Sequence, residues 1–248
     1  MNANASRCYR GPPTLYHSLL TVADKSKLAT LRAGVTGAAD IPPVELIRRI
    51  RDELPFQSLM TGYGLTEAGN VTLSRPGDTP DDVATTAGGV PCQDVDVRIA
   101  EDGEVLVRGY SVMRGYLDDP AATAEAIDPD GWLHTGDLGE FTASGRLKIV
   151  GRKKDMFIVG GFNAYPAEIE GVLMQHPAVA QVAVIGVPDE RMGQVGKAFV
   201  VCHHPLGADE LIGWSRELMA GYKVPRYVRF VDALPTNATG KVMKNQLV

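Results

Sequence analysis

The most chemically suggestive residues of the chain lie near its C-terminus, where Thr239 and Gly240 precede Lys241. A lysine that follows a Thr-Gly turn can place an ammonium between two anions that must react. Bringing a carboxylate up to a phosphate costs Coulomb repulsion, and a positive charge held in a water-poor site offsets that cost as charge develops. An exposed lysine on a surface turn is the alternative interpretation of this segment taken alone.

Five further strings precede this lysine, and each combines glycine with side chains that suit a nucleotide or phosphate. In chain order they are Gly62-Tyr63-Gly64-Leu65-Thr66-Glu67, then Gly103-Glu104-Val105 leading to Val112-Met113-Arg114-Gly115-Tyr116, Gly131-Trp132-Leu133-His134-Thr135-Gly136-Asp137, Gly151-Arg152-Lys153-Lys154-Asp155, and Gly160-Gly161-Phe162-Asn163-Ala164-Tyr165-Pro166-Ala167-Glu168-Ile169-Glu170. Their order and spacing resemble the AMP-forming acyl-CoA synthetases (fatty-acid–CoA ligases) of the adenylate-forming superfamily. The resemblance runs from about Gly11 to the end. It implies an acid–CoA ligase that makes acyl-adenylate from a carboxylic acid and ATP, and then acyl-CoA and AMP.

The resemblance covers only the C-terminal half of such an enzyme. The family's Ser/Thr- and Gly-rich phosphate loop, which ends in Pro-Lys-Gly, has no counterpart in these 248 residues. The nearest candidate is Thr85-Thr86-Ala87-Gly88-Gly89-Val90-Pro91, which we interpret as a turn leading into a strand because no lysine or helix N-terminus follows Pro91. We therefore expect a truncated chain.

The start of the chain supports the same expectation. Gly11-Pro12-Pro13-Thr14-Leu15-Tyr16 resembles a segment that lies in the middle of the family's large domain, after a buried strand. Residues 1–9 are rich in Asn, Ala, Ser and Arg. Since a buried parallel strand is a nearly continuous apolar run, we expect this stretch not to form one.

Thr66 and Glu67 form a hydroxyl–carboxylate pair of the hard-oxygen kind that Mg²⁺ and a phosphate oxygen favour. The resemblance assigns them these roles, with Glu67 as the metal ligand. A helix that begins with Thr66 as its N-cap is the alternative. Tyr63 offers a flat face for adenine, and the resemblance places this tyrosine at the adenine site together with Gly62 and Gly64; an ordinary aromatic at the end of a strand is the alternative.

Asp137 ends a Thr-Gly-Asp turn, and an ionised aspartate accepts two hydrogen bonds, which suits the vicinal diol of ribose. The resemblance points Arg152 at the ribose and α-phosphate, and we expect His134 to be structural. A carboxylic acid substrate has a pKa of roughly 4–5, by analogy with Asp and Glu, so it arrives ionised and needs no base. The resemblance therefore assigns charge neutralisation to Mg²⁺ and to Lys241; Lys244 lies outside the Thr-Gly-Lys register.

For the second step the resemblance implies a small domain that swings about a hinge at Lys154. Gly160 and Gly161 would then let the pantetheine thiol of coenzyme A approach the backbone, because side chains there would block it. A plain hairpin turn is compatible with the same pair. The family's acyl pocket is built largely upstream and near Gly37, Ala38 and Gly62. The expected cofactors are ATP/AMP, Mg²⁺ and coenzyme A, and the expected acid is a fatty or similar hydrophobic one.

The resemblance implies an α/β fold in the first part of the chain, and the sequence pattern after Lys154 predicts a small α+β fold. We expect residues 1–154 to be the C-terminal part of the large AMP-binding domain and residues 155–248 to be a small mobile domain that carries Lys241. The sequence pattern predicts a helix over 44–54 and strands over 95–99 and 106–107. Beyond Lys154 it predicts a helix from Pro166 that stops at His176-Pro177, a helix over 209–220, and strands over 179–187, 197–202 and 227–231.

Composition excludes several classes of function. The chain has 44% hydrophobic and 22% charged residues, and its net charge of −5 comes from 25 basic and 30 acidic residues without a basic block. This composition gives no support to nucleic-acid binding. The scattered Cys8, Cys92 and Cys202 are typical of reduced thiols. With no signal peptide and an apolar run over 178–187 that is too short to span a bilayer, we expect a cytoplasmic protein without a transmembrane segment.

Three other functions remain open. The first is a non-catalytic nucleotide-binding, acyl-CoA-binding or partner module derived from such an enzyme. The others are a carrier-loading adenylation module and a luciferase-type oxidase. A large domain without its first half would also leave strand edges and apolar faces exposed, so we expect self-association or a bound partner to cover them.

Overall fold

The computed structural model describes residues 8–11, 13–22, 24–37, 44–85, 89–237 and 242–247. The chain forms two compact units, Met1–Ile149 and Val150–Val248. Among the residues named above as candidates for the site, Ala38 and Lys241 lie outside the described residues. The hinge and domain boundary at Lys154 stay predictions.

The elements form a mixed α/β arrangement, in which helices separate single strands or runs of consecutive strands. The helices are α1 (Pro13–Leu20), α2 (Val44–Glu53), α3 (Pro80–Thr85), α4 (Pro120–Ala126), α5 (Pro166–Leu173) and α6 (Ala208–Arg216). The strands are β1 (Cys8–Gly11), β2 (Ala33–Gly37), β3 (Ser58–Leu65), β4 (Gly69–Leu73), β5 (Val90–Pro91), β6 (Val95–Ile99), β7 (Glu104–Gly109), β8 (Leu133–Phe141), β9 (Leu147–Arg152), β10 (Phe157–Val159), β11 (Phe162–Ala164), β12 (Val179–Asp189), β13 (Gly193–Cys202) and β14 (Tyr227–Phe230). Short 3₁₀ turns cover Lys25–Leu28, Lys153–Asp155 and Lys244–Gln246.

A five-stranded sheet of order β1-β2-β3-β4-β5 begins the first unit. The first three strands are parallel, and β4 and β5 continue the sheet antiparallel. The predicted helix over 44–54 is confirmed as α2. Its Leu46, Ile50 and Leu54 recur every four residues and are buried in one cluster with Tyr16 of α1 and with Phe56. Burial of this stripe against the sheet is what stabilises the helix.

Strand β1 corrects the expectation for residues 8 and 9, whereas residues 1–7 of that stretch lie outside the described residues. Residues 8–11 pair parallel with residues 33–36, although their sequence is not apolar. The strand lies at the end of the sheet order, and its residues alternate between exposed and half-buried. A strand in this position does not require the apolar run that a strand covered on both faces needs.

A second sheet, of order β6-β7-β8-β9, carries the next part of the chain. Its first three strands pair antiparallel, and the predicted strands over 95–99 and 106–107 are confirmed as β6 and β7. Val95, Val105, Val107, Leu133 and Leu147 are buried together in its core.

The second unit is built on a sheet of order β11-β10-β13-β12, with β14 parallel to β13. The long β12–β13 hairpin pairs Val187 with Val195 and extends to Asp189 opposite Gly193. The predicted strands over 179–187, 197–202 and 227–231 are confirmed within a few residues. The predicted helix over 209–220 is too long, because α6 ends at Arg216. Leu211 and Ser215 are buried, whereas Leu218 is half exposed and gives the helix no further anchor.

Among the described residues, no helix combines the length and the apolar composition needed to cross a membrane.

Candidate functional site

The site begins where the parallel pairing of β2 with β3 ends. Gly37, the last residue of β2, pairs with Gly62 of β3. Ligands of open α/β sheets bind outside the carboxyl ends of the strands, and these two glycines lie at that position. Strand β3 continues through Tyr63 and Gly64, so the backbone itself carries the predicted adenine-side string to the end of the sheet.

Tyr63 and Asp137 are joined directly. The phenol oxygen of Tyr63 donates a hydrogen bond of 2.7 Å to Oδ2 of Asp137 on β8. Asp137 is only 6% exposed. The structure thus brings together the two residues that the sequence assigned to adenine and to ribose. The bond holds the tyrosine ring and the carboxylate in one geometry.

Thr66 and Glu67 lie in the turn between β3 and β4, so the alternative of a helix beginning at Thr66 is wrong. The antiparallel pairing of β3 with β4 forms a hairpin instead, with Leu65 opposite Gly69. The peptide carbonyl of Glu67 accepts a hydrogen bond of 2.7 Å from the amide of Met113. Its Oε1 accepts a second, of 3.0 Å, from the phenol of Tyr116. This carboxylate raises the pKa of Tyr116 above its ordinary value, because the hydrogen bond favours the protonated phenol.

Glu67 is the side chain that the sequence analysis predicted as a metal ligand. No group of three or more His, Cys, Asp or Glu side chains that could hold a metal occurs in the described part of the chain. A single carboxylate nevertheless fits Mg²⁺, which keeps several waters and is usually bound by one or two carboxylates together with substrate phosphates. When bound, the ion would neutralise phosphate charge, and Glu67 and Thr66 are the oxygen donors available to hold it.

The other assigned residues lie in the second unit or at its start. Arg152 is the exposed last residue of β9, and Lys154 lies in the 3₁₀ turn that follows. Gly160 and Gly161 form the two-residue turn of the β10–β11 hairpin, with φ of 56° and 90°. Both angles are in the region that favours glycine. The hairpin interpretation is therefore confirmed, and it leaves the predicted role in pantetheine binding untested.

Lys244 has a partner of its own. Its Nζ lies 2.7 Å from Oε1 of Glu170 on α5. The same oxygen accepts a hydrogen bond of 2.6 Å from the amide of Val184 on β12. The ammonium of Lys244 thus links the 3₁₀ turn at Lys244–Gln246 to the helix and the sheet of the second unit.

Sequence analysis named no role for Tyr116 or Glu104. Both lie in the strings that carry the family resemblance, and that was the available signal. Their contacts could not be read from the strings, because Tyr116 bonds a residue 49 positions away and Glu104 bonds Gly136, which is 32 positions away. The pair of Glu104 and Gly136 depends on the register of β7 with β8, and the pair of Tyr116 and Glu67 depends on contact between two segments outside the named strands.

Comparison with family models gives two matches. Residues 2–117 match the family described as AMP-binding enzyme, and residues 168–241 match the AMP-binding enzyme C-terminal domain.

Curated relatives include a ligase from Mycobacterium tuberculosis named for 3-[(3aS,4S,7aS)-7a-methyl-1,5-dioxo-octahydro-1H-inden-4-yl]propanoyl:CoA. It is 55% identical over 242 residues, which are 96% of this chain and 47% of the relative. A feruloyl-CoA synthase from Amycolatopsis is 42% identical, over 96% of this chain and 50% of the relative. A long-chain-fatty-acid–CoA ligase from Escherichia coli O157:H7 is 38% identical, over 96% of this chain and 44% of the relative. The chain therefore spans about half the length of the relatives it matches.

Solved structures give the same picture. The ATP-bound MatB from Rhodopseudomonas palustris superposes on this chain with a TM-score of 0.88 at 31% sequence identity. The match covers 98% of this chain and 50% of the MatB chain. The o-succinylbenzoate CoA synthetase MenE from Bacillus subtilis, in complex with the acyl-adenylate OSB-AMP, has a TM-score of 0.84 at 33% identity, over 97% of this chain and 50% of its own.

Proposed function

Because this chain belongs to the AMP-binding, adenylate-forming enzyme family, we propose that it forms the AMP-holding and coenzyme-A-facing part of an acid–CoA ligase. The reaction joins a carboxylic acid to ATP as acyl-adenylate with release of pyrophosphate, and then transfers the acyl group to coenzyme A with release of AMP. The hydrogen bond between Tyr63 and Asp137 carries the proposal, because it assembles an aromatic face and a buried carboxylate at one place.

Each residue has a proposed role in holding the nucleotide. Tyr63 stacks on adenine, and Asp137 accepts the two ribose hydroxyls. Glu67, held by Tyr116, provides the carboxylate for Mg²⁺, and Thr66 provides a hydroxyl for a phosphate oxygen. Arg152 adds positive charge toward the α-phosphate. A substrate carboxylate is the nucleophile and needs no general base, so these residues act by alignment and by charge.

Lys241 is proposed to supply positive charge between the carboxylate and the α-phosphate in the first step. In the second step the backbone at Gly160 and Gly161 is proposed to admit the pantetheine thiol. Lys154, in the turn before β10, is proposed as the hinge between the two steps. Residues 1–154 and 155–248 are proposed as the corresponding parts of a large and a small domain.

The acid is proposed to be hydrophobic, and two classes compete. Sequence analysis expected a fatty acid, and the fatty-acid ligase among the relatives is 38% identical. The relative named for a fused-ring propanoyl group is 55% identical over the same share of this chain. The higher identity favours a ring-bearing propanoate over a linear chain.

Binding and half-reaction measurements test the proposal. Titration calorimetry with AMP should give binding, and the affinity for ATP should be similar, because the sequence contains no glycine-rich loop ending in Pro-Lys-Gly that would hold the β- and γ-phosphates. We expect negligible pyrophosphate release from acid, ATP and Mg²⁺ by the 248-residue chain alone. Robust turnover by this chain would contradict our interpretation of the phosphate loop. Absence of AMP binding would contradict the assembled half-site.

The substrate class is tested with chemically prepared acyl-adenylates and coenzyme A. We expect faster thioester formation from the adenylate of a fused-ring propanoate than from that of a long-chain fatty acid. The reverse order would restore the fatty acid as the substrate. Binding of AMP without thioester formation from either adenylate would indicate a nucleotide-binding module instead of a ligase.

A further inference from the structure

The pairing of β7 with β8 contains an irregularity next to Asp137. Glu104 pairs with Leu138, and Leu106 pairs with His134. One residue separates the two positions on β7, whereas three residues, 135–137, separate them on β8. Strand β8 therefore carries two extra residues at this point. Bulges of this kind redirect a side chain and are common beside active sites. Asp137 is the last of the three β8 residues that lie opposite this single β7 residue.

The carboxylate of Glu104 fills the bulge. Its Oε1 accepts a hydrogen bond of 2.8 Å from the amide of Gly136, and its Oε2 lies 3.2 Å from Nδ1 of His134. The Glu104 side chain is only 7% exposed. Since an ionised carboxylate can only accept, Nδ1 of His134 donates. One buried side chain thus replaces the strand partner that the bulge removes.

Two further hydrogen bonds, both made by the hydroxyl of Thr135, connect the bulge to Asp137. The hydroxyl of Thr135 donates to the carbonyl of Val105 (2.7 Å), and the amide of Asp137 donates to the same hydroxyl oxygen (3.1 Å). Gly136 has φ of 69°, which glycine adopts without strain. The turn is therefore held on both sides of Gly136, and loss of the Glu104 carboxylate would leave the Gly136 amide without its acceptor in a partly buried position.

We propose that Glu104 is a positioning residue that sets the direction of the Asp137 carboxylate, and through it the preference for a nucleotide with a free ribose diol. This inference rests on the proposed function, since that function assigns Asp137 to the diol. Glu104 acts through the backbone of the bulge and touches no ligand. His134 holds the second carboxylate oxygen and so keeps Oε1 directed at Gly136.

The test compares AMP with 2′,3′-dideoxy-AMP in titration calorimetry. Glu104→Ala should weaken AMP binding about tenfold, the factor expected for a hydrogen bond to a charged group, and should leave binding of the dideoxy nucleotide within twofold. Glu104→Gln keeps an acceptor oxygen for the Gly136 amide and should stay within threefold for both ligands. Glu140→Ala is the matched control, because Glu140 is an exposed carboxylate on β8, paired with Lys148. It should change neither affinity.

Equal weakening of both nucleotides by Glu104→Ala, or no weakening, would overturn the proposal, since a merely structural role has no reason to depend on the diol. If Glu104→Ala does not fold, Glu104→Asp serves, because it keeps the charge and shortens the side chain by one methylene. It should show the same selective loss for AMP.

A second measurement separates this proposal from the proposed function. Hydrogen exchange of the Gly136 amide, followed by NMR without ligand, should accelerate at least tenfold in Glu104→Ala and remain unchanged in Glu140→Ala. Unchanged exchange in Glu104→Ala would overturn the anchoring role even if AMP binds. Lack of AMP binding by the unmodified chain, or no effect of Asp137→Ala on AMP affinity, would instead contradict the proposed function.

Discussion

The phenol of Tyr116 donates a hydrogen bond of 3.0 Å to Oε1 of Glu67, the carboxylate that we assign to Mg²⁺. The amide of Met113 bonds the carbonyl of the same glutamate, so the segment before α4 holds both the backbone and the side chain of Glu67. A carboxylate held in this way is directed before any ligand arrives. Pre-organisation of this kind lowers the entropy cost of binding.

The first prediction concerns the titration of Tyr116. Its pKa is raised mainly by the hydrogen bond to Glu67. Glu67→Gln removes the negative charge that opposes phenolate formation, so the pKa of Tyr116 should fall toward its ordinary value of about 10. Absorbance at 295 nm, compared between variants with and without Tyr116→Phe, isolates this residue. Glu101→Gln, at an exposed position, should leave the titration midpoint of Tyr116 unchanged. An unchanged midpoint in Glu67→Gln would show that the Tyr116–Glu67 hydrogen bond does not persist in solution.

The second prediction concerns Tyr63. Tyr63→Phe removes the donor that orients Asp137 and keeps the aromatic ring. AMP affinity should fall about threefold to tenfold, which corresponds to roughly 1 kcal/mol for one orienting hydrogen bond. Calorimetry measures it, with Tyr110→Phe as the control because Tyr110 is 77% exposed. A loss as large as that caused by Asp137→Ala would mean that the phenol itself contacts the nucleotide.

The third prediction concerns the bidentate pair of Asp78 and Arg146. Nη1 and Nη2 of Arg146 each lie 2.6 Å from an Asp78 carboxylate oxygen, and the Asp78 and Arg146 side chains are 8% and 14% exposed. Removing one partner of a nearly buried pair is costly, so Asp78→Asn should lower the free energy of unfolding by about 3 kcal/mol at pH 7. Urea denaturation measures it. Glu140→Gln breaks the exposed pair with Lys148 and should cost less than about 1 kcal/mol.

The stability lost in Asp78→Asn should depend on pH in one direction. The bond to Arg146 holds the pKa of Asp78 below its ordinary value. A depressed pKa in the folded state adds stability that is fully present above the unfolded pKa of about 3.9 and is lost as pH falls through the lower folded pKa. The difference between the two proteins should therefore shrink on acidification below about pH 4. A difference that grows on acidification would contradict the assignment.

The fourth prediction separates the two lysines near the C-terminus. Lys241→Ala should abolish acyl-adenylate formation in a preparation that carries out both steps, and should leave conversion of supplied acyl-adenylate to acyl-CoA largely intact. Lys244→Met breaks the ion pair with Glu170 and should lower stability by about 1 kcal/mol without favouring either half-reaction. Equal loss of both half-reactions in Lys241→Ala would indicate a structural role for that lysine.

Many of the elements and candidate residues were predictable because short local sequence motifs determine them. Pro166 begins α5, the spacing of Leu46, Ile50 and Leu54 predicted α2, and the Gly160-Gly161 pair was compatible with a hairpin turn. Each of these depends on backbone propensity or on a periodic apolar face, which neighbouring residues determine. The family resemblance rests on the same strings, so the candidate residues for adenine, ribose and metal could be named before any fold was known.

The incorrect predictions and alternatives arose where local sequence was interpreted without knowledge of strand pairing and burial. Strand β1 forms from a stretch that is not apolar because its residues are exposed or only half-buried, so its faces do not require a continuous apolar run. Thr66 and Glu67 suited a helix start, but pairing of β3 with β4 placed them in a hairpin turn. α6 stops early because Leu218 meets no core.

The sequence by itself determined which side chains are available and which elements present them, because these follow from neighbouring residues. Only the tertiary structure decided the pairs of the candidate site: Tyr63 with Asp137, Tyr116 with Glu67, and Glu104 with Gly136. The members of these pairs are 74, 49 and 32 positions apart. Glu104 and Gly136 meet through the register of β7 with β8, where a shift of one residue turns a side chain to the opposite face of the sheet. Tyr63 and Asp137 belong to two different sheets, and Tyr116 and Glu67 lie outside the named strands, so these two pairs depend on contact between separate segments of the fold.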